Sequence, residues 1–171
     1  KLIGRITIGL GEGITGWVAA STLTPKAGGN ADRTAPPGGG NIWVKENWPV
    51  NSQQVFCDGV LLQQIAGEID PSNAQWWRGR KGKDLADLEA GSFYVDVKGK
   101  KVYVWLKDGS DPNKHEMEVS VRPVLLWLRM DYAHVRGLSF QHSNMIATIT
   151  WPASVMQGAH NIAEDCDFMW A

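Results

Sequence analysis

The sequence predicts an all-β fold, and three observations support this prediction. Glycine occupies 19 of the 171 positions, which favours many turns over long helices because glycine destabilises a helix interior. Short apolar runs alternate with polar residues at a period of two, as half-buried strands do. A weak repeat of 28 residues towards the C-terminal end adds strands at a fixed spacing.

Composition indicates a folded chain without a strong electrostatic preference for a partner. Hydrophobic residues make up 43% of the sequence, and the net charge is −1. A nearly neutral chain lacks the positive charge that attracts nucleic acids and anionic membranes, so we expect neither partner. The two cysteines, Cys57 and Cys166, are too few for a disulfide framework, and we expect free thiols.

The sequence divides into four segments by composition. Residues 1–24 hold the first strands, and residues 25–41 are rich in glycine and proline. This second segment is predicted to be a loop or linker, because it offers too little apolar surface to offset the entropy of ordering. Residues 42–111 are predicted to form an antiparallel β module, and residues 112–171 a second set of strands.

Two hairpins are predicted within the β module. Asp58-Gly59 stands between two apolar runs, and this dipeptide favours a type I′ turn, in which both central residues have positive φ. Residues 93–106 alternate apolar and polar side chains on both sides of a lysine-rich turn. We expect an antiparallel hairpin there, with Val95 and Val104 facing its core.

The 28-residue repeat predicts strands that stack in parallel. Residues 132–140 can be laid over residues 160–168, so that Phe140 meets Phe168. A strand that returns after a constant interval, with its apolar residues in register, is typical of a parallel solenoid. A β-sandwich also has alternating strands, but a 28-residue return suits a coil better than a hairpin.

Several stretches resemble right-handed parallel β-helix proteins of the pectate-lyase-like superfamily, which are mostly large bacterial proteins. The matching stretches are QQVFCDG (53–59), GSFYVD (91–96), VYVWL (102–106), DGSDPN (108–113), EVSVR (118–122) and VRGLSF (135–140). The resemblance implies the start of a right-handed parallel β-helix with an inserted antiparallel β-hairpin module. Residues 112–171 would be the helix coils, and a second chain or a missing segment would cap the last coil.

The resemblance also implies a function and a location. It suggests the N-terminal part of an extracellular or periplasmic protein that acts on a polysaccharide or oligosaccharide, as a lyase or a glycoside hydrolase. The same superfamily includes members without catalytic activity, so a carbohydrate-binding or assembly module is the alternative. The catalytic residues are not assigned from this sequence: they could lie outside this chain, and the alternative is that Asp165 and Asp167 form the acid/base pair of a hydrolase.

One group of candidate substrate-binding residues follows the predicted strand 135–140. His142 and Asn144 belong to the polar sequence QHSN, and Trp151 lies seven positions further on. Solenoid enzymes display binding groups on the outer face at strand ends, which favours a sugar-binding role. The simpler interpretation is a surface turn in which these side chains bond to the local backbone.

A second group lies in the β module. Trp76, Trp77 and Arg78 open the basic run that ends at Lys83, and aromatic faces next to positive charge suit an anionic sugar. The competing interpretation is a solvated loop with one tryptophan packed as an anchor.

Asp165 and Asp167 are the candidate metal ligands. In one strand they would point to the same face about 7 Å apart, opposite to Cys166 and Phe168. Carboxylates so placed suit Ca²⁺, the cation that would assist a lyase on uronate sugars. An acidic solvent-facing strand is the alternative. Among the four histidines no helical metal-binding spacing occurs, and the sequence presents no serine triad motif.

Overall fold

The computed structural model describes residues 6–9, 11–20, 41–66, 82–122, 124–144 and 154–169. The chain forms two units, each described by itself below. Unit 1 consists of residues 1–12 and 119–171, and unit 2 consists of residues 13–118. Strands make up 44% of the structure and helices 6%, which confirms the predicted all-β class.

The described strands are short, as the many turn residues predict. In chain order they are β1 (Ile6–Gly9), β2 (Gly11–Gly13), β3 (Val18–Ala19), β4 (Ile42–Lys45), β5 (Val55–Cys57), β6 (Val60–Leu61), β7 (Gln63–Gln64), β8 (Ser92–Asp96), β9 (Lys101–Trp105), β10 (Met117–Ser120), β11 (Leu126–Arg129), β12 (His134–Arg136), β13 (Leu138–Gln141), β14 (Ser154–Gln157), β15 (Ile162–Glu164) and β16 (Asp167–Met169). The 3₁₀ turns Leu85–Asp87 and Pro112–Lys114 lie between described strands.

Unit 1 is built from parallel strand pairs with one constant spacing. β11 pairs with β14, β12 with β15, and β13 with β16, and in each pair the partners are 28 residues apart. Phe140 pairs with Phe168, and their rings stack with centroids 5.0 Å apart. The prediction that these two residues stack in parallel strands is therefore confirmed. β1 joins the other edge of β13, also in parallel, so that the three strands form one sheet.

The backbone of unit 1 repeats at its corners as well as in its strands. Tyr132 and His160 have φ of 58° and 59°, and Gly137 and Asp165 have φ of 69° and 51°. Each pair is 28 residues apart. Left-handed backbone is uncommon outside glycine, so its recurrence at equivalent positions shows that the chain follows the same path twice.

Unit 2 contains a five-stranded sheet in the order β3-β4-β9-β8-β7. The pairing is antiparallel except between β7 and β8. β8 and β9 form the predicted hairpin, in which Phe93 pairs with Val104 and Val95 pairs with Val102. Val95 and Val104 are buried, with 2% and 0% of their surface exposed, which confirms their predicted orientation.

The unit that contains this sheet is larger than the predicted module. The module was predicted over residues 42–111, whereas unit 2 begins at residue 13 and ends at residue 118. The physical reason at the N-terminal side is strand pairing, because β3 joins the edge of β4 through Val18 and Val44. Ala20 also belongs to the core cluster of unit 2.

The shorter hairpin of unit 2 has the predicted turn. Asp58 and Gly59 have φ of 50° and 75°, as a type I′ turn requires. The turn joins β5 to β6, where Cys57 pairs with Val60 and Phe56 with Leu61. Asp58 therefore lies at the tip of a tight turn whose geometry is fixed by the two strands.

Replacing Val104 with alanine should destabilise unit 2. Its side chain is fully buried in the central strand of the five-stranded sheet, so the change removes two methyl groups and leaves a cavity. We expect a loss of about 1 to 3 kcal/mol in the free energy of unfolding, measured by urea denaturation. An unchanged denaturation midpoint would contradict the inward orientation of this side chain.

Candidate functional site

Four side chains of unit 2 that can carry chemistry lie around a fifth, a histidine. They form what we call the His115 cluster, and its members are Cys57, Asp58, Asp108, Ser110 and His115. Cys57 and Asp58 come from the end of β5 and its hairpin turn. Asp108 and Ser110 come from the loop after β9, and His115 follows the second 3₁₀ turn. Three separate parts of the sequence thus contribute to one site.

The loop that carries His115 is fixed by its own polar residues. Asp111 caps the 3₁₀ turn, since its carboxylate accepts from the Asn113 backbone N–H at 2.9 Å. The Asn113 side chain in turn binds the Gly16–Trp17 backbone: Oδ1 accepts from both N–H groups, and Nδ2 donates to the Trp17 carbonyl. The sequence DPNKH is therefore an anchored turn that delivers the imidazole to a defined position.

A chain of short hydrogen bonds runs through the cluster. His115 Nδ1 lies 2.7 Å from Asp58 Oδ2, and His115 Nε2 lies 2.7 Å from Ser110 Oγ. Ser110 Oγ donates to Asp108 Oδ1 at 2.6 Å. The order serine, histidine, aspartate is also that of a hydrolase triad.

The direction of the Ser110 hydrogen bond distinguishes the cluster from a site with an activated serine. The Ser110 hydroxyl has a single proton, and it donates that proton to Asp108. The hydroxyl oxygen is then free to accept from His115 Nε2, while the roles of the two ring nitrogens depend on the tautomer. A hydroxyl that already donates its proton to Asp108 is not placed to give that proton to His115, and the arrangement is that of a clamp or a ligand set.

The electrostatics of the cluster follow from these contacts. The pKa of Asp58 is lowered by the hydrogen bond from His115 and then by the Glu116 N–H. The pKa of Asp108 is lowered by the Ser110 hydroxyl and then by the Ser110 backbone N–H. Burial, together with the charges of Asp58 and Asp108, raises the pKa of Cys57 to about 11. The cluster therefore holds two carboxylates and a neutral thiol at neutral pH.

These shifts predict an acid-dependent loss of stability. A carboxyl with a lowered folded-state pKa binds fewer protons when folded, so its contribution is present above the ordinary value of 3.8 and is lost as the pH falls below it. We expect the urea midpoint of Asp58→Asn to fall less between pH 5 and about pH 3 than that of the unchanged protein. Glu46→Gln, which removes an exposed carboxylate paired with Lys101, is the control. Parallel curves for Asp58→Asn and the unchanged protein would contradict the prediction.

Three members of the cluster could hold a metal ion. Single ligand atoms of Cys57, Asp58 and His115 all lie within 4.8 Å of one another, and this is the one such group that the described part of the chain contains. Asp58 is exposed and the other two are partly buried, so an ion bound there would keep a side open to solvent.

The residues predicted after strand β13 are not on the surface. His142 and Asn144 are buried, with 8% and 3% of their surface exposed, so the expectation of an exposed polar cluster on the outer face is wrong. His142 has a left-handed φ of 59°. Asn144 Oδ1 accepts from the Ser120 hydroxyl, and the Asn144 backbone N–H donates to the Arg122 carbonyl, so both groups have partners within unit 1.

Asp165 and Asp167 do not share one strand. Asp165 lies in the left-handed bend between β15 and β16, and Asp167 is the first residue of β16. Asp165 Oδ2 accepts from Nε and Nη2 of Arg136 at 3.1 and 3.0 Å. The calcium prediction placed both aspartates on one face of a single strand, and the structure does not have this arrangement. Calcium binding itself stays a prediction.

Four of the predicted sugar-binding residues lie outside the described residues, and they are Trp76, Trp77, Arg78 and Trp151.

The sequence-based prediction missed the His115 cluster. No motif spacing links Asp58 to His115, because the contact depends on how the hairpin turn and the later loop pack. A usable signal was present in residues 108–115, DGSDPNKH, where a histidine directly follows a turn rich in carboxylates. Combined with the Asp58-Gly59 turn, this could have indicated a cluster at one end of the module.

Comparisons with protein-family models, curated proteins and solved structures find no match for this chain. Within the part of the chain that the structure describes, no helix has the length and apolarity needed to cross a membrane.

Proposed function

We propose that this chain is the N-terminal part of a right-handed parallel β-helix protein that acts on polysaccharide, as a lyase or a glycoside hydrolase. The observation that carries the proposal is the constant 28-residue spacing of three parallel strand pairs in unit 1. A β-helix is built by repeating one coil, and the recurring left-handed corners at Tyr132 and His160 support such a repeat.

Exposed aromatic rings on the first of these coils suit a sugar ligand. Trp127 on β11 is partly exposed, and the Arg129 guanidinium lies 4.4 Å from the centroid of its ring. Tyr132 is 74% exposed and stacks on His160 of the next coil. Rings of this kind pack against the apolar face of a sugar. The neighbouring Arg129 guanidinium suits a sugar that carries a carboxylate.

Ionisable side chains from both coils lie next to these rings in sequence. His134 Nε2 lies 2.8 Å from Glu164, and Arg136 contacts both Glu164 and Asp165. All four side chains are at least 42% exposed, so the ion pairs are weak and can be exchanged for contacts with a ligand at little cost. Carboxylates and arginine are also groups that bind hydroxyls and uronate carboxylates.

A module without catalytic activity is the second candidate, in carbohydrate binding or assembly. The observation that favours it is the exposure of apolar side chains on the second coil, where Phe168 is 49% exposed and Ile162 is 53% exposed. The equivalent of Phe168 one coil earlier, Phe140, is fully buried. Exposed large apolar groups in register suit a further coil or a second chain as a cover.

Two measurements on the full chain test these proposals. The first is depolymerisation of a panel of acidic and neutral polysaccharides, followed by reducing ends and by the ultraviolet absorbance of unsaturated uronates. The second is calorimetry with the same sugars. Cleavage supports the enzyme, whereas binding without cleavage supports the binding module. Absence of both, together with concentration-dependent association of the chain, supports the assembly role and contradicts the polysaccharide proposal for this chain.

Calcium is tested with a double substitution, Asp165→Asn with Asp167→Asn. If these residues hold the cation, calorimetry should show micromolar-to-millimolar calcium affinity, and the double variant should lose it. Glu46→Gln, which changes an exposed carboxylate in unit 2, should leave the calcium heat unchanged. Absence of calcium heat in the unchanged protein would remove the calcium prediction.

A further inference from the structure

We propose that Cys57, Asp58 and His115 form a binding site for a divalent transition-metal ion of the zinc class. The three residues supply a thiol, a carboxylate and an imidazole, with ligand atoms within 4.8 Å of one another. Zinc accepts this mixture of sulfur, nitrogen and oxygen donors, whereas calcium and magnesium prefer oxygen alone. The donor set therefore selects the class of metal.

The distances suit a tetrahedral ion after small side-chain movements. Zinc bonds of about 2.0 to 2.3 Å place neighbouring ligand atoms roughly 3.3 to 3.7 Å apart. Cys57 Sγ lies 3.9 Å from Asp58 Oδ2 and needs to move only a few tenths of an ångström. His115 Nδ1 and Asp58 Oδ2, now hydrogen-bonded at 2.7 Å, would separate by less than about 1 Å as the metal replaces the shared proton.

An independent feature of the structure supports His115 as a ligand. A metal-bound histidine normally donates its other ring N–H to an acceptor, which fixes the tautomer and the ring plane. His115 Nε2 lies 2.7 Å from Ser110 Oγ, and that hydroxyl donates to Asp108 at 2.6 Å. The Nε2 side of the imidazole is thus held by a serine and a carboxylate, while Nδ1 lies against the candidate ligand Asp58.

The charges of the cluster also favour a cation. The carboxylates of Asp58 and Asp108 lie at the two ends of the hydrogen-bond chain through His115 and Ser110, and two negative charges attract a divalent cation. On binding, the thiol of Cys57 loses its proton to solvent and its sulfur bonds to the metal as thiolate. The proton on His115 Nδ1 also leaves to solvent, and the ring stays protonated at Nε2. No electrons are transferred in this step.

Three protein ligands leave a fourth position on the metal. The Asp58 side chain is 55% exposed, so this position faces solvent and can hold water. Closed structural zinc sites have four protein ligands, whereas three ligands with a water are typical of sites where the metal meets an exchangeable ligand.

Cobalt titration of the reduced full chain tests the site, because a thiolate bound to Co²⁺ gives a charge-transfer band. We expect one equivalent to bind, and Zn²⁺ to displace it with loss of the band. Cys57→Ser should abolish the band, and His115→Gln should weaken binding at least tenfold. Ser110→Ala should keep the band but weaken binding by about 10- to 100-fold, as changes behind a metal ligand do. The affinity for the metal should decrease as the pH is lowered, because metal binding displaces protons from the ligands.

Cys166→Ser is the matched control, since it removes the other free thiol and should leave the titration unchanged. Circular dichroism of each metal-free variant shows whether it is folded. If Cys57→Ser does not fold, Asp58→Asn provides the test, with the band kept and binding weakened. The proposal is overturned if the unchanged protein gives no thiolate band, or if the band survives in folded Cys57→Ser. Loss of the band in Cys166→Ser rather than in Cys57→Ser would also overturn the proposal and would identify adventitious binding.

Discussion

Replacing Phe140 with alanine should strongly destabilise unit 1. The ring is fully buried, and the residue lies on the central strand of its sheet, with β1 on one side and β16 on the other. Truncation of a buried phenylalanine removes a large apolar surface and leaves a cavity, at a cost of about 3 to 5 kcal/mol. Hydrogen exchange of segments from unit 1 and urea denaturation measure this loss.

Phe168→Ala is the matched control for this prediction. Phe168 is the same residue type at the same position one coil later, and its ring stacks on that of Phe140. Because Phe168 is 49% exposed, its truncation leaves little cavity, and we expect less than half of the loss seen for Phe140→Ala. Equal losses for the two variants would show that both rings are buried in solution.

Replacing Gly158 with alanine should have the second largest effect. Gly158 has a backbone φ of 128°, which residues other than glycine rarely adopt. An added Cβ would collide with the Met130 carbonyl oxygen of the preceding coil. The colliding atom belongs to the backbone, so relief requires the two coils to move apart. We expect a loss of at least about 2 kcal/mol in the free energy of unfolding of unit 1.

Gly59→Ala separates the two causes of this loss. Gly59 also has a positive φ of 75°, but an added Cβ would meet nothing within 4 Å. This variant has left-handed strain without a collision, and we expect it to lose only about 1 kcal/mol, measured by the same denaturation. If Gly158→Ala is no more destabilising than Gly59→Ala, the coils are not in close contact at Met130.

The sequence predicted those parts of the fold that depend on local chemistry. Asp58-Gly59 specified its turn, because few dipeptides tolerate two left-handed residues. The alternation around Val95 and Val104 specified a hairpin with one buried face. The offset between Phe140 and Phe168 gave the parallel pairing, since stacked strands repeat their apolar positions.

The candidate site was harder to predict, because its residues are joined by packing between distant segments. Asp58 and His115 are 57 residues apart, and no rule of spacing brings them together. His142 and Asn144 have the polarity of a surface turn, yet both are buried, and Asn144 accepts one hydrogen bond from the Ser120 hydroxyl. Asp165 was assigned to a strand because alternation alone does not reveal a left-handed bend.

The pairing of β1 with β13 has a consequence for the order of folding. Ile6 meets Leu138, which is 132 positions later in the chain, whereas the coil pairs join residues 28 apart. For a flexible chain the longer closure costs about 1.4 kcal/mol more in entropy.

Unit 2, residues 13–118, lies within that interval, and once folded it replaces most of the flexible loop with a compact body. During synthesis from the N-terminus, β1 therefore stays unpaired until β13 is made and unit 2 has folded. Slow or failed folding of unit 2 would leave an unpaired strand edge open to aggregation.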